Sequence, residues 1–181
     1  MNNQDLRVIK TKENIISSFV ILLGDKSFEK ITIQDILDRS LINRSTFYRH
    51  FNDKYDLAKQ INNQLIQQIQ TLLKTRFGQK NSYEHLSKEM NLEFHQLLTK
   101  REVFLAMISI QNNEINLKNE LLKIIEEHYI RYLGKDALES QLFAALVLTT
   151  LTYRIQQNQV LSLEDIKETM LGLINSLKHT D

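Results

Sequence analysis

Not one residue of this chain is proline, and only four of its 181 residues are glycine. Proline takes a donor out of a helix and clashes with the preceding turn, and glycine raises the entropic cost of ordering one. A chain so poor in both is free to be helical nearly throughout. Strand signals are weak, with no alternating Val/Thr/Tyr run bounded by Asn-Gly or Asp-Gly turns. The expected class is all-α, with about nine helices. The length allows one large domain or two small ones, and a 42% hydrophobic fraction suffices for a packed core.

Apolar spacing divides the chain. A first helix is expected from about Gln4 to Leu23, with Ile9, Ile16, Phe19, Val20 and Leu23 as its stripe and Gly24 ending it in a left-handed conformation. Phe28 and Ile31 return to the core. Thr32, with Asp35 three residues on, is the capping box of a second short helix whose buried face is Ile33, Ile36 and Leu37. Ser40, Leu41 and Ile42 form a turn, and Asn43 caps a third helix in which Phe47 and Phe51 share the inner face. Asn52 or Asp53 caps a long fourth helix, residues 54–77, striped by Leu57, Ile61, Leu65, Ile69, Leu72 and Leu73. The break from Gly78 to Asn81 divides a domain at 1–53, joined by this connector helix, from a larger region at 78–181. There Ser82 opens a helix to about Leu98. Further helices cover about 101–110, 115–133 (ending at Gly134), 135–157 and, after Ser162, to about Leu177.

The helix over 135–157 differs from the rest. Between Leu142 and Leu151 only Thr149 and Thr150 interrupt an apolar run that covers every direction of the wheel. Such a helix is expected to be buried all round, one face in its own core and the other under a second copy of the chain. The last helix also carries more apolar residues than one face needs. Phe143, Val147, Thr150, Ile166, Met170, Leu173, Ile174 and Leu177 are the candidate dimer interface.

Net charge is only +1, but it is unevenly spread. Between Arg39 and Lys54 stand Arg39, Arg44, Arg49 and Lys54 against Asp53 alone, with His50 besides. A local basic patch on a two-helix turn suits the phosphates of nucleic acid. Arg44 and Arg49 have the shape to bind phosphate or a guanine edge in bidentate fashion. Ser45 and Thr46 allow close backbone approach. Tyr48 offers a hydroxyl to phosphate and a ring to a thymine methyl, and His50 and Lys54 suit phosphates. Thr32, at a helix N-terminus, places backbone N–H groups and its hydroxyl toward a phosphate, and Asn43, the cap of the third helix, belongs to the same candidate set. Double-stranded DNA is the partner this set points to.

The run Phe28, Ile31-Thr32-Ile33, Asp35-Ile36, Asn43-Arg44-Ser45-Thr46-Phe47-Tyr48-Arg49-His50-Phe51, Asp53-Lys54 and Leu57 resembles the DNA-binding domain of the TetR/AcrR family of transcriptional regulators. The resemblance covers about Arg7 to Gln67. It implies an N-terminal three-helix helix-turn-helix domain and a larger C-terminal helical domain that binds a ligand and dimerises through its last two helices. The leading expectation is a ligand-responsive repressor acting as a homodimer on a pseudo-palindromic operator; the alternative is a coactivator or adaptor of the same fold whose C-terminal domain docks a partner protein. The family often has glycine where this chain has Leu41, so the turn is expected to accommodate leucine in a right-handed conformation. The wording around Asn43–Tyr48 and Lys54–Leu57 looks like a Gram-positive subgroup that includes DhaS-type regulators, in which the C-terminal domain binds a partner protein instead of a small molecule.

Other chemistries find little support. With no cysteine there is no disulfide and no thiolate site. His85 and Glu89 stand four apart without a third metal ligand, and Glu126 and Glu127 are adjacent and face different ways. No phosphate loop, nucleophile elbow or metalloprotease pair is present. No enzymatic activity, metal or cofactor is expected. The start, Met1 to Lys12, has no apolar signal region, and the ten-residue apolar run falls short of the roughly 20 that span a membrane; a cytoplasmic protein is expected. Phe94, His95, Phe104, Met107, Tyr129 and Phe143 are candidate lining for a pocket holding a small-molecule effector.

Overall fold

The computed structural model describes residues 3–78, 92–133, 136–160 and 163–178, and every regular element among them is helical. In order these are α1 (Asn3–Asp25), a single 3₁₀ turn (Phe28–Lys30), α2 (Ile33–Ser40), α3 (Arg44–Tyr48), α4 (Lys54–Gly78), α5 (described over 92–98), α6 (Arg101–Ile108), α7 (Leu117–Leu133), α8 (Ala137–Gln156) and α9 (Leu163–Lys178). Ser82, His85, Glu89, Gly134 and Ser162 lie outside the described residues. The chain forms two compact units: Met1–Gln67 with Glu102–Glu120, and Gln68–Arg101 with Leu121–Asp181.

In the first unit, α1 buries Ile15, Phe19 and Leu22, with Ser18 and Val20 beside them. The face is turned from the expected one: Ile9 is 43% exposed, and Ile16 and Leu23 are half-buried. Its centre is set by Phe19, against which the Phe28 ring stands edge-on at 6.1 Å. Nor does Gly24 stop the helix. The α-helix runs on to Asp25, Gly24 has no left-handed φ, and Lys26 N–H closes the last turn on the Leu22 carbonyl at 2.9 Å. The break comes at Ser27, whose backbone is extended.

The capping box forms as expected. Thr32 Oγ1 accepts from Asp35 N–H at 3.1 Å, and Asp35 Oδ2 accepts from Thr32 N–H at 2.7 Å. The turn after α2 differs from expectation, because Leu41 is left-handed at φ 54° and ψ 38°. The reason is the hydrogen bonding of the helix end: Leu41 N–H and Ile42 N–H both donate to the Leu37 carbonyl, a closure that requires a left-handed residue. Leu41 points outward, 91% exposed, so no packing offsets a conformation that costs a leucine about 1–2 kcal/mol.

Asp53 caps α4 by accepting from Asp56 N–H at 2.7 Å. Along this helix Leu57, Ala58, Ile61 and Leu65 are buried in the first unit, and Ile69, Leu72 and Leu73 in the second. In the second unit α8 buries one face, Ser140, Ala144, Leu148, Leu151 and Ile155. Its other side is open in the single chain: Leu138, Leu142 and Tyr153 are 63%, 62% and 55% exposed. Arg101 finishes α8, its guanidinium donating at 2.9 Å to the carbonyls of both Ile155 and Gln156, where a cation also meets the negative end of the helix.

Candidate nucleic-acid interface

The site is built on Asn43. Its carboxamide oxygen accepts from Thr46 N–H and from the Ser45 hydroxyl, each at 2.8 Å, and so starts α3. The helix proper is five residues long, and Arg49, His50 and Phe51 continue it through single turns onto the Ser45 and Phe47 carbonyls. Phe47 and Phe51 are 0% and 2% exposed with ring centres 5.7 Å apart. Burying two aromatic rings on one side fixes the rotation of this short helix about its axis. Ser45, Tyr48 and Arg49 therefore face outward, and all three are exposed. The Tyr48 ring stands edge-on to Phe47 at 5.6 Å, which braces it while its hydroxyl end stays open.

Around this face the predicted residues take different parts. Arg44 is exposed and donates to Gln34 Oε1 of α2 at 3.2 Å, a neutral partner that leaves its charge uncompensated. Thr46 and His50 are half-buried at the edge of the face. His50 is held below the ordinary histidine pKa, first by burial and then by the charges of Lys12 and Arg49. Thr32 is taken up by its cap: its hydroxyl donates to Asp35 Oδ2 at 2.7 Å as well as accepting from the backbone. The Asp35 carboxyl is held far below the usual carboxylate range, first by hydrogen bonding to Lys26 and then by the two bonds from Thr32.

Lys54 does not join the exposed face. Its ammonium donates to the carbonyls of Phe28, Glu29 and Ile31 at 3.0, 2.9 and 2.8 Å and lies over the Phe28 ring at 4.9 Å. An ammonium has three donors, and all three are occupied, so this residue holds the connector before α2 instead of reaching for phosphate. Lys12, which the sequence did not single out, takes up a position beside the site, 5.8 Å from the Phe51 ring centre. Its signal was present as a cation on the polar flank of α1, but nothing local linked it to α3.

The remaining candidates are less concentrated. Among the proposed effector-pocket residues, Tyr129 and Phe143 meet at 4.6 Å and Phe94 is fully buried, all in the second unit. His95 is exposed, and Phe104 and Met107 are buried within the first unit. These six do not assemble into one lining within either unit. Of the candidate interface residues, Met170, Leu173 and Ile174 on α9 are 38%, 56% and 45% exposed. Phe143, Val147 and Thr150 are half-buried on the flank of α8, whose open side is carried by Leu138, Leu142 and Tyr153. Ile166 and Leu177 lie outside the residues whose side chains are described. No described helix is long and apolar enough to cross a membrane.

Residues 15–61 match the model of the tetR family of bacterial regulatory proteins. The chain is 23% identical over 191 aligned positions to YxbF of Bacillus subtilis (strain 168), described as an uncharacterised HTH-type transcriptional regulator; the match takes in 97% of this chain but 47% of that protein, so the chain spans about half of that relative's length. Its fold is similar to that of a TetR transcriptional regulator from Streptococcus agalactiae 2603V, with a TM-score of 0.56 and 21% identity over 94% of this chain and 97% of the other. It is also similar to NalD, the secondary repressor of the MexAB-OprM multidrug efflux pump in Pseudomonas aeruginosa, with a TM-score of 0.59 and 17% identity over 93% and 96%.

Proposed function

We propose, from the match of residues 15–61 to the tetR family of bacterial regulatory proteins, that the chain is a sequence-specific DNA-binding repressor that works as a homodimer and answers to an effector. The observation that carries this reading is the rotation of α3: Phe47 and Phe51 inward, Ser45, Tyr48 and Arg49 outward. Two such helices in successive major grooves, about 34–36 Å apart, would read a pseudo-palindromic operator. Arg44 and Arg49 supply fork-shaped donors, Tyr48 a hydroxyl and a ring, and Ser45 and Thr46 short side chains that permit close approach. The exposed apolar residues of α8 and α9 are the surface for the second copy. An effector acts by binding the DNA-free state better, typically by about 1–3 kcal/mol.

The test is a gel shift on duplex DNA flanking the protein's own gene. The parent is expected to retard a discrete fragment, and Arg49→Ala and Tyr48→Ala to weaken that complex at least tenfold while melting like the parent. Folded variants that bind as tightly as the parent would remove the assigned surface.

A further inference from the structure

The α1 helix lays a second surface alongside the recognition turn. Leu6, Arg7, Lys10, Thr11 and Asn14 recur on one stripe of α1, and with Ile42 of the α2–α3 turn they line an open cleft of about 430 Å³. The cleft is fixed to the recognition motif, because Asn14 Nδ2 donates at 2.7 Å to the carbonyl of Ser40, the last residue of α2. One residue beyond Ile42 stands Asn43, the cap of α3. Arg7 and Lys10 are exposed, and neither has an ion-pair partner among the described residues. Elsewhere in the same unit, toward the other end of α1, Lys26 pairs with Asp35 at 2.8 Å and Arg39 with Asp25 at 3.5 Å.

We propose that this cleft is a phosphodiester site that holds a backbone phosphate of the duplex flanking the base pairs faced by α3. It rests on the reading of α3 as the recognition helix. Two uncompensated cations over an aliphatic floor of Leu6 and Ile42 suit a phosphate with its deoxyribose: the charges meet the oxygens and the floor meets the sugar. Continuity with the α3 face identifies the polyanion as the strand already in place there. Such a contact carries no sequence information; it fixes register and adds affinity that salt removes.

The test uses the full chain and a duplex selected from random DNA by the parent protein. Affinity is measured by anisotropy between 50 and 300 mM KCl for the parent and for Arg7→Gln/Lys10→Gln. The double variant is expected to bind about five- to tenfold more weakly at low salt, with a slope of log K against log salt shallower by about 0.9 for each half-site phosphate lost. Its preference among operator sequences should not change. Trimming the duplex back to the base pairs facing α3 should cost the parent the same slope and cost the double variant nothing. A double variant with the parent's slope would overturn the assignment, whether the cleft then proved empty or took a small anion or a protein surface. A parent that selects no duplex at all would count against the reading of α3 instead.

Discussion

The Lys54 ammonium stands 2.8 Å from the carbonyl oxygen of Ile31, so the first residue of α4 grips the residue that leads into α2. Replacing Lys54 by methionine keeps the aliphatic stem but leaves this carbonyl and those of Phe28 and Glu29 without their charged donor. Charge-assisted bonds of this sort contribute about 1.5–3 kcal/mol, and Lys54→Met should lower stability to urea by that order. Its DNA complex should keep the parent's salt dependence. A slope reduced by about 1 would instead make Lys54 a phosphate ligand.

Leu41 adopts a backbone conformation that leucine disfavours, while its side chain buries almost nothing. Asparagine visits that region far more readily. Leu41→Asn should therefore raise stability by about 1 kcal/mol in thermal or urea unfolding. A melting temperature equal to or below the parent's would mean that the turn is held open by something other than backbone strain.

His50 titrates below its ordinary value in the folded protein, through burial and the charges of Lys12 and Arg49. As pH falls through about 6.5, the unfolded chain takes up this proton before the native one does. Native stability should therefore decline as pH falls through that region. A phosphate beside the ring acts in the opposite sense, raising the bound-state pKa. DNA affinity should then rise as pH is lowered from 8 toward 6 and level off below the free protein's value. His50→Gln should flatten the profile, and a variant that keeps the parent's pH dependence would clear His50 of this role.

Leu142 on α8 and Leu173 on α9 are 62% and 56% exposed, wide apolar openings for a chain that carries charge elsewhere. Leu142→Glu/Leu173→Glu should turn a dimer into a monomer by light scattering while retaining its far-UV helicity. A double variant that remained dimeric would move the interface off these two helices.

What the sequence made legible was whatever chemistry acts over three or four residues. Thr32 with Asp35, and Asn43 with Thr46, are caps whose partners lie within one turn, and Phe47 with Phe51 is an adjacent-turn pair. Each is found as read. Lys54 reads as part of the basic patch because the carbonyls its ammonium meets lie 23 to 26 residues back, out of reach of any local pattern. Separation in sequence likewise hid Lys12, which meets Phe51, and Arg7 and Lys10, which share a cleft with Ile42. The turn at Leu41 ran against residue preference because backbone closure onto Leu37 outweighed it. On α8, the apolar pattern gave the number of faces to cover but could not rank them, and the most open residues proved to be Leu138, Leu142 and Tyr153.

The inclusion of Glu102–Glu120 in the first unit has a consequence for biosynthesis. Lys59 meets Glu114 at 3.3 Å and Glu29 meets Asn112 at 3.2 Å within that unit, so it is assembled from two stretches of chain made at different times. At roughly 5–20 residues per second, a ribosome that has released Gln67 needs about 3–10 s more before the later stretch emerges. Nascent chains stalled just beyond residue 67 should thus remain open to protease, and protection should arrive only once residue 120 has cleared the exit tunnel.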